Sequence, residues 1–362
     1  MPANAACPVL LVALLLASAP EEATPPKTEL LLRDSYPLEV SVSFPAGLFH
    51  WIDSLAGTSH GKTVQAYQQE FEDRFGRPTR QDMKVLSGFI RARARHAVAA
   101  KTRAPGDPRV PPIAALLERF CEAATVEAAL DALRDELDPA DWSALRLSLD
   151  HFRPRYETIW NEGRVASQFL RRCRKDPAKD SLADLLERIA GFFGADPLEP
   201  PRPRIVLVPV PPGFGTHAEA VGRNLLIEIR PGEGLADEAS VIVHENAHFM
   251  FARVSAERTR GFASLVLERG PVGLTAWETL REALPTALGQ GVADSHFRPS
   301  AWSERGPWYH TADVDAYAKA IYPIVRASLE RGGRLDASLV LRLLDSFPGR
   351  GDGRPSLIRR SP

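Results

Sequence analysis

The chain has 362 residues, 44% of them hydrophobic and 25% charged, and a formal net charge of −1. This is the make-up of a soluble globular protein with a sizeable core, arranged as one large domain or two ordinary ones. So small a charge sets up no field towards nucleic acid or an anionic membrane surface, and both classes of function are set aside.

Positions 7–16, CPVLLVALLL, are continuously apolar and are followed by Ala17-Ser18-Ala19. The run is too short to span a bilayer but fits the apolar core of a secretory signal with a small-residue cleavage site. Residues 1–19 are therefore read as a signal peptide, and a secreted or periplasmic location is expected. MPANAA carries no Lys or Arg and Pro20 follows the cut, so a mis-assigned start is the alternative. Removal of the signal would take Cys7 with it and leave Cys121 and Cys173, which form either one disulfide or two buried thiols.

Residues 20–37 contain EEATPPKTE and read as a polar linker. LEVSVSF (38–44) alternates and is β-branched, which predicts a strand. From there to about residue 200 the periodicity is helical, as in 79–100, 113–124 and 181–193. In the last of these Leu182, Leu185, Leu186 and Ile189 recur at three- and four-residue steps. The run DPLEPPRP (196–203) is the strongest punctuation in the chain and separates this helical region, 38–200, from a mixed region, 201–348. The latter opens with strand-like IVLVPV (205–210) and NLLIEI (224–229). A helix over about 238–254 follows, with Asp237 as its expected N-cap. Residues 349–362 read as a disordered tail. The fold class expected is α+β and mostly helical, with a small sheet.

The helix over 238–254 carries VIVHENAHFM (241–250). His244 and His248, four apart, project from one helical face and converge on one point, as two ligands of a tetrahedral zinc would. Glu245 is turned by about 100° and can reach a metal-bound water rather than the metal. A carboxylate so placed can take the proton of that water, which is the chemistry of an HExxH motif. Without a metal, three buried polar side chains would need other partners, at about 1–3 kcal/mol for each one left unmet.

VIVHENAHFMF resembles the active-site helix of the zincin metallopeptidases, and the resemblance extends over about 205–345. Metzincins continue the motif with Gly and a third His. Phe251 and Val254 occupy those positions, and a GTxxD signature is absent as well, so the similarity is to the gluzincin branch, which includes thermolysin-like and aminopeptidase-N-like enzymes. That resemblance implies a third ligand, a glutamate, from a later helix. TAWETLREALPTALGQG (275–291) offers Glu282, followed by Ala as in the family, and Glu278, which could instead close a capping box with Thr275. Glu282 is the expected ligand. Thr286 stands where thermolysin-like proteins carry an acidic residue, and Pro285 should kink the helix. The family also implies an edge strand that pairs with an extended peptide, a role NLLIEI could fill, and a downstream Tyr or His that meets the carbonyl oxygen. Tyr309, His310 and Tyr317 are the candidates for the latter, with Tyr317 inside a helix that starts near Asp313. The expected function is a zinc-dependent peptidase acting on a peptide or protein substrate. The rivals are a non-catalytic binding protein on a zincin-like scaffold and a helical structural protein without metal.

Overall fold

The protein is seen in a computed structural model that describes residues 29–30, 36, 38–59, 63–102, 113–196, 202–212 and 217–350. The signal segment 1–19, most of the linker and the tail beyond residue 350 lie outside the described residues.

The described chain is mostly helical around a small mixed sheet. β1 (Glu29–Leu30) and β2 (Glu39–Val42) lead into six helices: α1 (Phe44–Leu55), α2 (Val64–Phe75), α3 (Arg80–Thr102), α4 (Ile113–Glu122), α5 (Val126–Leu133) and α6 (Pro139–Gly163). α7 (Val165–Cys173) and α8 (Ala178–Phe193) precede β3 (Arg204–Pro209), β4 (Ala218–Val221) and β5 (Asn224–Ile229). Then come α9 (Leu235–Ala252), α10 (Ala256–Glu268), α11 (Gly270–Thr286), a π-helical stretch (Ala287–Ala293), α12 (Asp294–Phe297), α13 (Ala312–Glu330) and α14 (Ala337–Asp345). Among the described residues no helix is long and apolar enough to cross a membrane.

The sheet runs β1-β2-β3-β5-β4, with β2, β3 and β5 parallel and the outer strands antiparallel. Its inner strands are apolar on both faces because both faces are covered. Val206, Val208 and Leu226 face a core built from α1–α6, whereas Ile205, Leu207, Leu225 and Ile227 face one built from α7–α14. Two-residue alternation thus feeds two cores from the same strands.

Several expectations are corrected by this arrangement. Residue 200 marks no boundary between cores, because β2 pairs with β3 across it and α7 and α8 pack into the core of the C-terminal half. The expected linker is partly structured: Glu29–Leu30 pairs with β2, and Tyr36 is buried with its hydroxyl donating to Asn246 Oδ1 at 2.7 Å. NLLIEI is an inner strand, buried along its length between β3 and β4. The edge strand is β4, which joins β5 through the two-residue turn Gly222-Arg223. Gly222 takes φ +62°, as the first residue of such a turn requires. Cys121 and Cys173 are buried free thiols in different cores, so no disulfide joins them.

Candidate metal centre and its cleft

α9 begins three residues earlier than expected. Gly234 is its N-cap, and Asp237, in the first turn, turns back to accept the Gly234 N–H at 2.8 Å, while Asp176 accepts from Leu235 N–H at 3.1 Å. The helix is buried nearly all round, with Ile242, Val243, Ala247 and Met250 in the core. Its polar exceptions are therefore exposed to the full cost of desolvation unless partnered. Asn246 Oδ1 accepts from the Tyr36 hydroxyl, while its Nδ2 has no hydrogen-bond partner among the described residues. His244 and His248 turn the other way, towards α11.

α11 starts at Gly270, so Thr275 is no cap. Its Oγ1 donates to the Pro271 carbonyl at 3.1 Å, and Glu278 lies exposed on the outer face. Glu282, one turn later, points at the imidazole pair. Its Oε1 lies 3.1 Å from His244 Nε2 and its Oε2 lies 3.5 Å from His248 Nε2. The two Nε2 atoms are themselves 3.2 Å apart. Among the described residues this is the one group of His, Cys, Asp or Glu side chains whose ligand atoms all lie close together, within 4.8 Å of one another.

Pro285 does not break the helix. It cannot donate to the Arg281 carbonyl, and two residues later the winding loosens into the π-helical turn. Thr286 adds a second donor, its Oγ1, to the Glu282 carbonyl at 2.8 Å. The π turn brings Gln290 against His244, with 3.3 Å between Gln290 Oε1 and His244 Nδ1. The Nδ1–H donates there, which leaves Nε2 as a lone-pair donor aimed at His248 and Glu282. The approach is close: a Cβ on Gly289 would fall 2.5 Å from the Ser240 carbonyl oxygen and 2.9 Å from His244 Cβ.

With both imidazoles neutral, two ring nitrogens and a carboxylate do not fully satisfy one another at these distances. Gln290 takes the one proton that neutral His244 carries, so its Nε2 meets His248 Nε2 with no hydrogen of its own. A divalent cation between the three groups removes the conflict, and two imidazoles with one carboxylate and an open side are a donor set that zinc accepts. The residues present fit the ion. Burial opposes a charge on His244, but the carboxylates of Glu282 and Glu245 outweigh it and hold its pKa above the ordinary value. Glu282 is held well below the carboxylate range: burial works against ionisation, and the two imidazoles overcome it.

Above the triad lies an open cleft of about 930 Å³. Its lining includes Glu245, the edge strand residues Ala218, Glu219 and Ala220, and the loop residues Trp308, Tyr309 and His310. Glu245 is 7% exposed, and burial raises its pKa against the pull of the two histidines. The Tyr309 ring lies nearly parallel to that of His244, at 5° and 6.3 Å between centroids. Its phenol is pushed up by burial and then by the nearby Glu282 carboxylate. Asp315 fixes the loop by accepting from the N–H groups of Trp308 and Tyr309 at 2.6 and 3.0 Å. His310, at the outer rim, packs its ring against Tyr309.

Of the residues expected at the site, His244, Glu245, His248, Glu282, Tyr309 and His310 come together around this cleft. Tyr317 does not. It is wholly buried on the core face of α13, its hydroxyl donates to the Leu343 carbonyl at 2.8 Å, and its ring packs on Phe347, so the position of a helix tyrosine proved a packing position. Gln290, Glu219 and Arg281 also belong to the cleft and were not anticipated. Gln290 alone had a signal, a lone amide inside the apolar stretch ALGQGVA. Compared with protein-family profiles, curated proteins and solved structures, the chain has no match.

Proposed function

We propose that this chain is a zinc-dependent peptidase of gluzincin type, with His244, His248 and Glu282 as ligands and Glu245 as general base. One observation carries the proposal: two imidazole Nε2 atoms, 3.2 Å apart, share a single carboxylate on the floor of an open cleft. Zinc held there would lower the pKa of a coordinated water towards neutrality and polarise a carbonyl oxygen.

The remaining chemistry belongs to side chains of the chain. Glu245 shares the cleft with the triad, and its carboxylate accepts a proton from the attacking water and returns it to the leaving amine. Tyr309 is a phenolic O–H donor over the same spot and can meet the negative charge that develops on the carbonyl oxygen. His310, further out on the rim, is the alternative donor. The free edge of β4 offers unpaired backbone groups along the cleft, which suits a substrate in extended conformation. The export signal read at 7–19 would take such an enzyme to the periplasm or out of the cell.

The test is Glu245→Gln. This variant should keep one zinc per chain while hydrolysis of a responsive peptide falls by about 10²–10⁴-fold. Cleavage at the wild-type rate would remove Glu245 from the chemistry and the peptidase reading with it.

A further inference from the structure

The walls of the cleft are not charged alike. α9 packs against β4 on one side and against α11 on the other, so the metal-facing side chains form a floor between those two elements. β4 contributes Glu219 and α11 contributes Arg281, and both line the cleft. Neither side chain makes a hydrogen bond or ion pair with a described residue, whereas Glu282 is tied to the imidazoles. Arg281 is the only Lys or Arg among the described residues that line the cleft, and it directly precedes Glu282 in the chain. On the other side the negative charges of Glu219 and Glu245 act on each other.

An exposed arginine on a helix is ordinarily a solvated one. Arg281 differs in its surroundings, as an unneutralised guanidinium beside the triad, opposite a wall whose own unpaired charge is negative. A guanidinium presents a planar fork of N–H donors that fits a carboxylate in two parallel hydrogen bonds. Glu219 repels a second carboxylate from the β4 side, so an acidic ligand is accommodated in one orientation only.

Building on the peptidase reading of the cleft, we infer that Arg281 docks a carboxylate of the substrate next to the bond that is cut, on the α11 side. The group is either the C-terminal carboxylate of a peptide, which would make the enzyme an end-trimming one, or an Asp or Glu side chain. Both present the same two oxygens to the fork.

The experiment measures equilibrium binding to zinc-loaded protein carrying Glu245→Gln, in which turnover is suppressed. Three probes are compared: acetyl-trialanine as the free acid, its C-terminal amide, and the amide with one alanine replaced by glutamate. One of the two acidic probes should bind about tenfold more tightly than the neutral amide, the effect of one charge-assisted pairing. Which of them does so distinguishes the terminal from the side-chain source. Adding Arg281→Gln should abolish the preference with zinc content unchanged, and Arg281→Lys should restore only part of it. Equal binding of all three probes overturns the inference. So does a preference that survives Arg281→Gln, since the carboxylate would then be on the metal. Hydrolysis by the protein with Glu245 intact is read separately. An Arg281-dependent acid preference without any cleavage keeps the subsite and sinks the peptidase reading.

Discussion

Two clusters of histidine and glutamate lie on opposite faces of the same sheet, and their hydrogen bonds close in opposite ways. On the face of α1–α6, Glu228 of β5 is fully buried, and His50 of α1 is 2% exposed. Glu228 Oε1 takes His50 Nε2 at 2.7 Å and Thr63 Oγ1 at 2.8 Å, and Oε2 accepts the His217 N–H at 2.8 Å. Each of these contacts pairs a donor with an acceptor, and no ion is needed. On the other face, His244, His248 and Glu282 bring three lone-pair groups to one point and leave that point open to the cleft. The same residue types thus make a closed structural pair in one place and, on the proposed reading, an open set of metal ligands in the other. What separates them is that the first cluster is sealed in the core while the second converges on an open cleft.

The comparison breaks most visibly at Glu228. Glu228→Ala should cost about 3 kcal/mol in chemical denaturation, because it strands His50 in the core, yet leave metal content unchanged. If zinc is lost along with stability, the two clusters are not independent. The pair also sets a pH window. Burial opposes a charge on His50, but Glu228 raises its pKa, so its share of stability is present below the unfolded histidine value, about 6.5, and fades as pH climbs through the raised folded value. Glu228 is lowered: burial alone would raise it, and His50 reverses that. Its share is present above the unfolded glutamate value, about 4.3, and fades as pH falls through the lowered one. The stability gap between wild type and Glu228→Gln should therefore be widest between about pH 4.3 and 6.5 and narrow on either side. A gap that does not vary with pH would deny the pair its charge.

Gln290 sharpens the comparison from the metal side. It orients His244 through Nδ1, so Gln290→Ala should weaken zinc affinity about 10–100-fold in a chelator competition and leave the denaturation midpoint of the metal-free protein little changed. Unaltered affinity would show that His244 needs no such partner to keep its tautomer.

How far the sequence could be read depended on the range of each interaction. The HENAH helix and the core face of α8 follow periodicity within single helices, and the structure contains both. Glu282, two helices further on, was expected from the family resemblance and not from periodicity. β3 and β5 were legible from their apolar runs, but their order was not, since the pairing of β2 with β3 and the burial of NLLIEI are settled between distant segments. β4 is short and weakly apolar, and nothing in the sequence reading pointed to it. Thr275 satisfies the capping-box pattern locally, yet tertiary packing carried the helix start back to Gly270. Tyr309, His310 and Tyr317 could not be ranked from sequence because burial decided among them: Tyr317 turned into the core while the Asp315 carboxylate held Tyr309 over the cleft.

The most direct measurement is the bound-metal stoichiometry of the full chain purified without added zinc, beside His248→Ala prepared in the same way. The account predicts one zinc per chain in the wild type and almost none in the variant, with both folded by circular dichroism. A metal-free wild type that also fails to take up zinc on titration, or a variant that retains a full equivalent, would contradict it.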